Sequence, residues 1–140
     1  MFASHNTAAA YARIGIETGI AGADPHQLVL MLFDGALLAT SAATLHMRRK
    51  ETAAKGQAIS RAIDIITNGL KASLDFEAGG GLAQKLGALY DYLSARLLYA
   101  NVHNNTAALD EVSHLLMELK GAWEEIGKKK IPAALSVVAA

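Results

Sequence analysis

Apolar positions recur at steps of three and four along most of this chain, and alternation at two is absent. Leu109, Val112, Leu116, Leu119, Trp123 and Ile126 form one continuous seam, the signature of an amphipathic helix. Leu82, Leu86, Leu89, Leu93 and Leu97 repeat it upstream, and Ile59, Ile63, Ile66 and Leu70 do so further back. The punctuation supplies the boundaries. Asp24 as N-cap, Pro25 at the first helical position and Gln27 two residues on predict a helix from Asp24 to about Arg49. Thr52 is placed to cap a second, to about Leu74. Gly79, Gly80 and Gly81 read as a break before a third helix from Leu82 to Ala100. Asn101 to Asn105 reads as a turn, and Gly127 as the residue that ends a fourth helix. Helices of ~20–25 residues are about 30–37 Å long. Matched lengths and short connections predict an all-α fold, an antiparallel up-down four-helix bundle. The expected layout is a flexible N-terminal arm over 1–23, the bundle over 24–127 and a C-terminal tail over 128–140.

These helices carry more apolar surface than one stripe each requires. Leu28 to Phe33 is an unbroken apolar run, Leu37 and Leu38 repeat the excess, and Ile65 stands beside Ile66. Tyr90, Tyr92, Leu98 and Tyr99 flank the third seam. Ala58, Ala62 and Gly69 leave room for a shallow groove on the second helix. Surplus apolar surface points to a partner helix or a homodimer, or else to a wide stripe wrapped on a tight core.

Composition narrows the function by exclusion. With 140 residues, 52% of them hydrophobic and 19% charged, the chain can bury a core as one domain. Thirteen basic and thirteen acidic residues cancel, so no global field draws it to nucleic acid. The absence of cysteine removes disulfides, thiolate metal sites and thiol nucleophiles, and suits a reducing compartment. No apolar h-region stands at the N-terminus, and no window reads as a membrane span, so a cytoplasmic location without membrane insertion is expected.

Candidate chemistry is sparse. Glu111 and His114 have the Glu-x-x-His spacing of di-iron bundles. Those sites need a second such motif and further inward glutamates, and the predicted first and third helices contain none. A solvated face is the better reading. The histidines form no zinc motif, and the triple glycine lacks the Lys-Ser/Thr of a phosphate loop. The basic clusters at Arg48–Lys50 and Lys128–Lys130 suit helix C-termini. Neither an enzyme nor a cofactor is expected.

Asp24-Pro25-His26-Gln27-Leu28, then Met31-Leu32-Phe33-Asp34-Gly35-Ala36, resembles the opening of the flagellar secretion chaperone FliS family. Ser73-Leu74-Asp75-Phe76-Glu77, Gly79-Gly80, Leu89-Tyr90-Asp91-Tyr92, Arg96-Leu97 and Ala100-Asn101 are similar to its central signature. Leu109 to Val112, Leu115-Leu116, Glu118-Leu119 and Trp123 resemble its last helix, and Tyr11 with Glu17-Thr18 its N-terminal arm. The likeness runs from about Tyr11 to Ile126. Phe33 and Asn105 depart from residues common in the family, and the arm before Pro25 is longer than usual.

That resemblance implies a cytoplasmic chaperone that binds the C-terminal segment of flagellin. It would prevent premature polymerisation and present the client to an export-gate component of the flagellar type III system. A regulatory adaptor sequestering another amphipathic helix is the alternative. The family signature, together with the helical lines it marks, makes Tyr90, Leu97 and Asn101 candidate partner contacts on the third helix. Ile66, Leu70 and Leu74 are the counterparts on the second, and Tyr11 on the arm. Tyr11, Ile14, Ile16 and Ile20 would let the arm lie over the groove in the absence of a client.

Overall fold

The computed structural model describes residues 24–128, which form four helices. The expectations for the N-terminal arm, Tyr11 included, and for residues 129–140 lie outside the described residues. Helix α1 spans Pro25–Arg48, α2 Thr52–Asp64, α3 Phe76–His103 and α4 Thr106–Lys128. No strand occurs among the described residues. Helix α1 packs on α2 and α4, and α3 packs on the same two, so α1 and α3 lie diagonally across an antiparallel bundle.

Helix α1 starts as its sequence dictates: the Asp24 carboxylate accepts the Gln27 amide at 2.8 Å, and Pro25 occupies the first turn. By length and hydropathy α1 is apolar enough to cross a membrane, contrary to expectation. Here the apolar run serves the bundle. Val29, Phe33, Ala36, Ala39, Ala43 and Met47 are buried, and Leu30, Leu32 and Leu37 pack beside them. The one buried hydroxyl on this face, Thr40, donates to the Ala36 carbonyl at 2.8 Å.

Five boundaries differ from the sequence reading, one of them because α3 continues through Asn101, Val102 and His103, where a turn is expected. Thr52 is the first residue of α2, and Glu51 holds the cap position without a side-chain bond. Helix α2 then widens into a π-helical turn at Ile65–Leu70 and tightens into a 3₁₀ turn at Lys71–Ser73. Helix α3 starts at Phe76 because the Asp75 carboxylate accepts the Ala78 amide at 3.0 Å, and the glycines are a kink inside it. Gly80 has φ +54°, open to glycine at little cost. Gly127 lies within α4, which runs to Lys128. A Cβ there would overlap the His26 ring, so packing, and not a helix stop, explains this glycine.

The π-turn also absorbs one apolar excess. Ile65 and Ile66 are both buried, Ile65 reaching 3.3 Å from where a Cβ on Gly35 would stand. Gly69 admits the Leu32 side chain, whose Cδ2 would lie 3.1 Å from a Cβ there. Gly69 therefore receives α1, Ala62 is fully buried, and neither leaves a groove on this face of α2.

At the far end, the Lys55 side chain lies inside the α2–α3 contact. Its ammonium donates to the Asn101 carbonyl at 3.0 Å and to Asn104 Oδ1 at 2.7 Å, capping the last turn of α3. Asn104, at φ 50°, ends that helix in the left-handed conformation. Replacing Lys55 with Ala strands these acceptors and is expected to cost about 1–3 kcal/mol, read as a lower urea midpoint. The Asn104→Gly change, which removes the side-chain acceptor but keeps the left-handed conformation accessible, should add little in a Lys55→Ala background, since the two share one interaction.

Candidate functional site: an apolar cleft at the bundle end

The α1 N-terminus, the end of α2, the start of α3 and the end of α4 meet at one end of the bundle and do not close it. Between them lies a cleft of about 140 Å³. Val29 and Phe33 form its α1 wall, and Leu70, Ser73 and Leu74 its α2 wall. Leu82, Leu86 and Tyr90 face them from α3, with Leu119, Ala122, Trp123 and Ile126 from α4. The Ser73 hydroxyl is turned to the Gly69 carbonyl at 2.6 Å, so it offers the cleft little polarity. Burial pushes the Tyr90 phenol well above its ordinary value, which keeps it neutral. This is a site for aliphatic and aromatic groups, with no charged residue in its wall among the described residues.

A clasp holds the α1–α4 corner. Trp123 Nε1 donates to the His26 carbonyl at 2.9 Å, and the His26 ring stacks on the indole with centroids 4.9 Å apart. Asp34 and Lys120 pair across the same two helices at 2.7 Å. Lys71 and Asp91 do so across α2 and α3, also at 2.7 Å.

Outside the cleft, several large apolar side chains face solvent. Leu38 is 74% exposed, Val102 73% and Met117 62%, and Leu45, Leu98 and Tyr99 join them. Along the α3–α4 edge, Glu111 accepts from Tyr92 Oη and from Arg96 Nε, the latter at 2.8 Å. The Arg96 guanidinium lies 4.6 Å from the Tyr99 ring centroid, and Tyr99 contacts His103. Glu111 is thus held in an ion pair instead of standing free on a solvated face. His114 is exposed and reaches only Glu118, at 3.6 Å. No group of three or more candidate ligands for a metal occurs among the described residues.

Hydrogen bonds from Tyr92 and Arg96 hold the Glu111 carboxyl below its ordinary value of 4.5. A depressed folded-state value stabilises the bundle above that ordinary value and is lost as pH falls through the folded one. Urea midpoints should therefore fall on acidification below about pH 4.5. In Glu111→Gln the part due to this pair should vanish, shown by a shallower acid limb.

The residues singled out from sequence fall into three places. Leu70, Leu74 and Tyr90 meet in the cleft wall. Ile66 and Leu97 are fully buried behind it, in the core. Asn101 is half-buried at the opposite end, its carbonyl engaged by Lys55. The line through Tyr90, Leu97 and Asn101 therefore runs through the molecule and not along one surface. Leu82, Leu86, Trp123 and Ile126 are legible as seam residues and Val29 and Phe33 as part of the apolar run on α1, and only the convergence of four helix ends makes them cleft walls.

A sequence profile described as "Flagellar protein FliS" matches residues 7–130 of this chain. The chain belongs to the FliS family. Relatives within it agree over most of their length. The flagellar secretion chaperone FliS of Salmonella typhimurium is 48% identical over 120 residues, covering 86% of this chain and 89% of its own. The Escherichia coli protein of the same name is 46% identical over 125 residues, 89% and 91% of the two chains. The flagellar secretion chaperone FliSB of Pseudomonas aeruginosa is 44% identical over 116 residues, 83% and 91%. In this FliS-family member the signature stretches Ser73–Glu77 and Leu89–Tyr92 contribute Ser73, Leu74 and Tyr90 to the cleft wall, and Trp123 joins them while bonded to α1.

Proposed function

We propose that this protein is a cytoplasmic export chaperone that binds the C-terminal segment of flagellin. It would keep that segment from polymerising and hand it to an export-gate component of the flagellar type III apparatus. The observation that carries this reading is the uncharged cleft, continuous at its rim with half-exposed Leu82, in a member of a family whose relatives are named flagellar secretion chaperones. Amphipathic segments that assemble through apolar faces need those faces covered beforehand, and a groove of leucines, an indole and a phenol ring covers them without chemistry. Ordering a disordered client costs roughly 2–5 kcal/mol, which keeps the complex reversible enough for release.

Leu74 and Tyr90 are the proposed direct contacts, with Leu70 at the cleft base and Ile66 and Leu97 supporting it from the core. Asn101 is proposed as a contact outside the cleft and Tyr11 as a contact from the N-terminal segment, addressed by Asn101→Ala and Tyr11→Ala. The deciding experiment is calorimetric titration with host flagellin, intact or lacking its C-terminal segment. Saturable binding that disappears with the segment is expected. Equal binding of both forms would overturn the reading.

A further inference from the structure

We propose that the α1–α2 hairpin is a docking surface for an anionic lipid bilayer. The charges of this chain cancel overall but not along its length. Between Asp34 and Asp64 stand five lysines and arginines (Arg48, Arg49, Lys50, Lys55 and Arg61) against one acid, Glu51, so this stretch carries +4 and the rest of the chain −4. Lys55 is engaged at the end of α3, and Glu51 is taken up by His46 at 2.7 Å. The other four cations are exposed, and none has an ion pair among the described residues. Elsewhere Lys71, Arg96, Lys120 and Lys128 each pair with a carboxylate. The dipole of α1 favours cations in its last turn, but it does not account for Arg61, on α2. Nor does it account for Lys50, which holds a left-handed φ of 58° that glycine or asparagine adopts with less strain.

Beside these cations α1 leaves apolar side chains in water. Its most apolar stretch is only 33% buried by the bundle. Leu38 is 74% exposed and Leu45 45%. Seven residues along a helix return to the same line within about 20°, so the two leucines share the outer face. Ser41 and Ala42 between them bring no charge, and Arg48 follows one turn beyond Leu45. Gly35 faces Ile65 across the hairpin, so one turn further along Arg61 comes level with Ala39, next to Leu38.

The face thus presents protruding leucines among unpaired cations. A nucleic acid would use the cations and leave the leucines wet. A partner helix packs its ridges into grooves, whereas these leucines stand out singly. A bilayer takes both: anionic headgroups meet the cations, and the leucines enter the boundary beneath them. Docking is peripheral and reversible, because so few apolar groups fall short of stable anchoring. The cleft lies at the opposite end of the bundle and stays accessible, and the docking does not depend on what the cleft holds.

Full-length protein is sedimented with vesicles of phosphatidylglycerol in phosphatidylcholine, or of phosphatidylcholine alone. Retention on the anionic vesicles only, falling as salt is raised, is the expected result. The combined Arg48→Ser, Arg49→Ser and Lys50→Ser changes should weaken it at least about tenfold. Leu38→Ser with Leu45→Ser, which leaves every charge in place, should weaken it about fivefold or more. All these positions are exposed, and circular dichroism checks that both variants keep the bundle. Because the chain has no cysteine, a polarity-sensitive dye can be placed at Leu38→Cys, with Val102→Cys on the diagonal helix α3 as control. A blue shift on anionic vesicles for the Leu38 label and not for the Val102 label is expected. No binding, equal binding to neutral vesicles, or equal shifts at both labels overturns the proposal. So does full retention of the leucine variant, which would mean that charge alone is read, as by an acidic protein or a nucleic acid.

Discussion

A glutamate at Leu97 should leave no folded bundle, whereas one at Leu82 should leave the bundle intact and weaken binding of the flagellin client proposed above. Leu97 is fully buried on α3, among the interior side chains that all four helices contribute. Small domains have about 5–15 kcal/mol of stability in hand. An unpaired carboxylate buried there costs several kcal/mol even after relaxation, and the lost leucine packing adds about 2–5 kcal/mol. The two together exhaust the margin. Leu82 is 41% exposed at the cleft rim, where a carboxylate stays hydrated. Its helicity and melting temperature should match the parent, while flagellin affinity falls at least about tenfold, or ~1.4 kcal/mol. Circular dichroism and titration of the same two proteins separate the outcomes. A folded Leu97→Glu would mean that the core is misassigned. Full affinity in Leu82→Glu would remove the cleft as the client site.

Trp123→Ala should be the most damaging single truncation at the cleft end of the molecule. Truncating a buried aromatic costs about 3–5 kcal/mol, and here the change also removes a hydrogen bond and a stacked ring. The His26 carbonyl loses its indole donor, and the imidazole loses the surface it lies on. His26→Ala, by contrast, removes the stack but keeps the backbone carbonyl that Trp123 uses, so it should cost distinctly less. Thermal or urea unfolding of both variants gives the comparison. Similar losses would mean that the ring, and not the indole, holds the corner.

Where local chemistry decides, the sequence was a sufficient guide. Asp24-Pro25 fixes the start of α1 because cap and proline act within one turn, and the seam on α4 maps directly onto the core. Reading failed where two local signals compete. The triple glycine looked like a helix break, but Asp75 caps a helix upstream of it and Gly80 is accommodated as a kink. Thr52 is a good capping residue by type, yet the turn through Arg49 and Lys50 makes it the first helical position. Periodicity assigns Ile66, Leu70, Tyr90 and Leu97 to stripes but cannot separate the inner from the outer side of a wide stripe. That separation is set by neighbouring helices, which is why Leu70 and Tyr90 reach the cleft while Ile66 and Leu97 lie behind it. Lys55 shows the same limit in polar form: only tertiary structure places its ammonium on the end of α3.

The wide turn at Ile65–Leu70 bears on how chains of this family should be aligned. Each residue taken into a continuous α-helix rotates everything after it by about 100°. A turn with i→i+5 bonding takes in such a residue inside the element, leaving both flanking stretches in phase. Ile59 and Leu70, eleven residues apart, would share the inner face of a plain α-helix too, so the wide turn's slack is left to the tighter 3₁₀ turn that follows at Lys71–Ser73. A homologue shorter by one residue in this helix can lose it at Ile65–Leu70, where the wide turn becomes an ordinary α-turn, and keep Leu74 on the cleft wall.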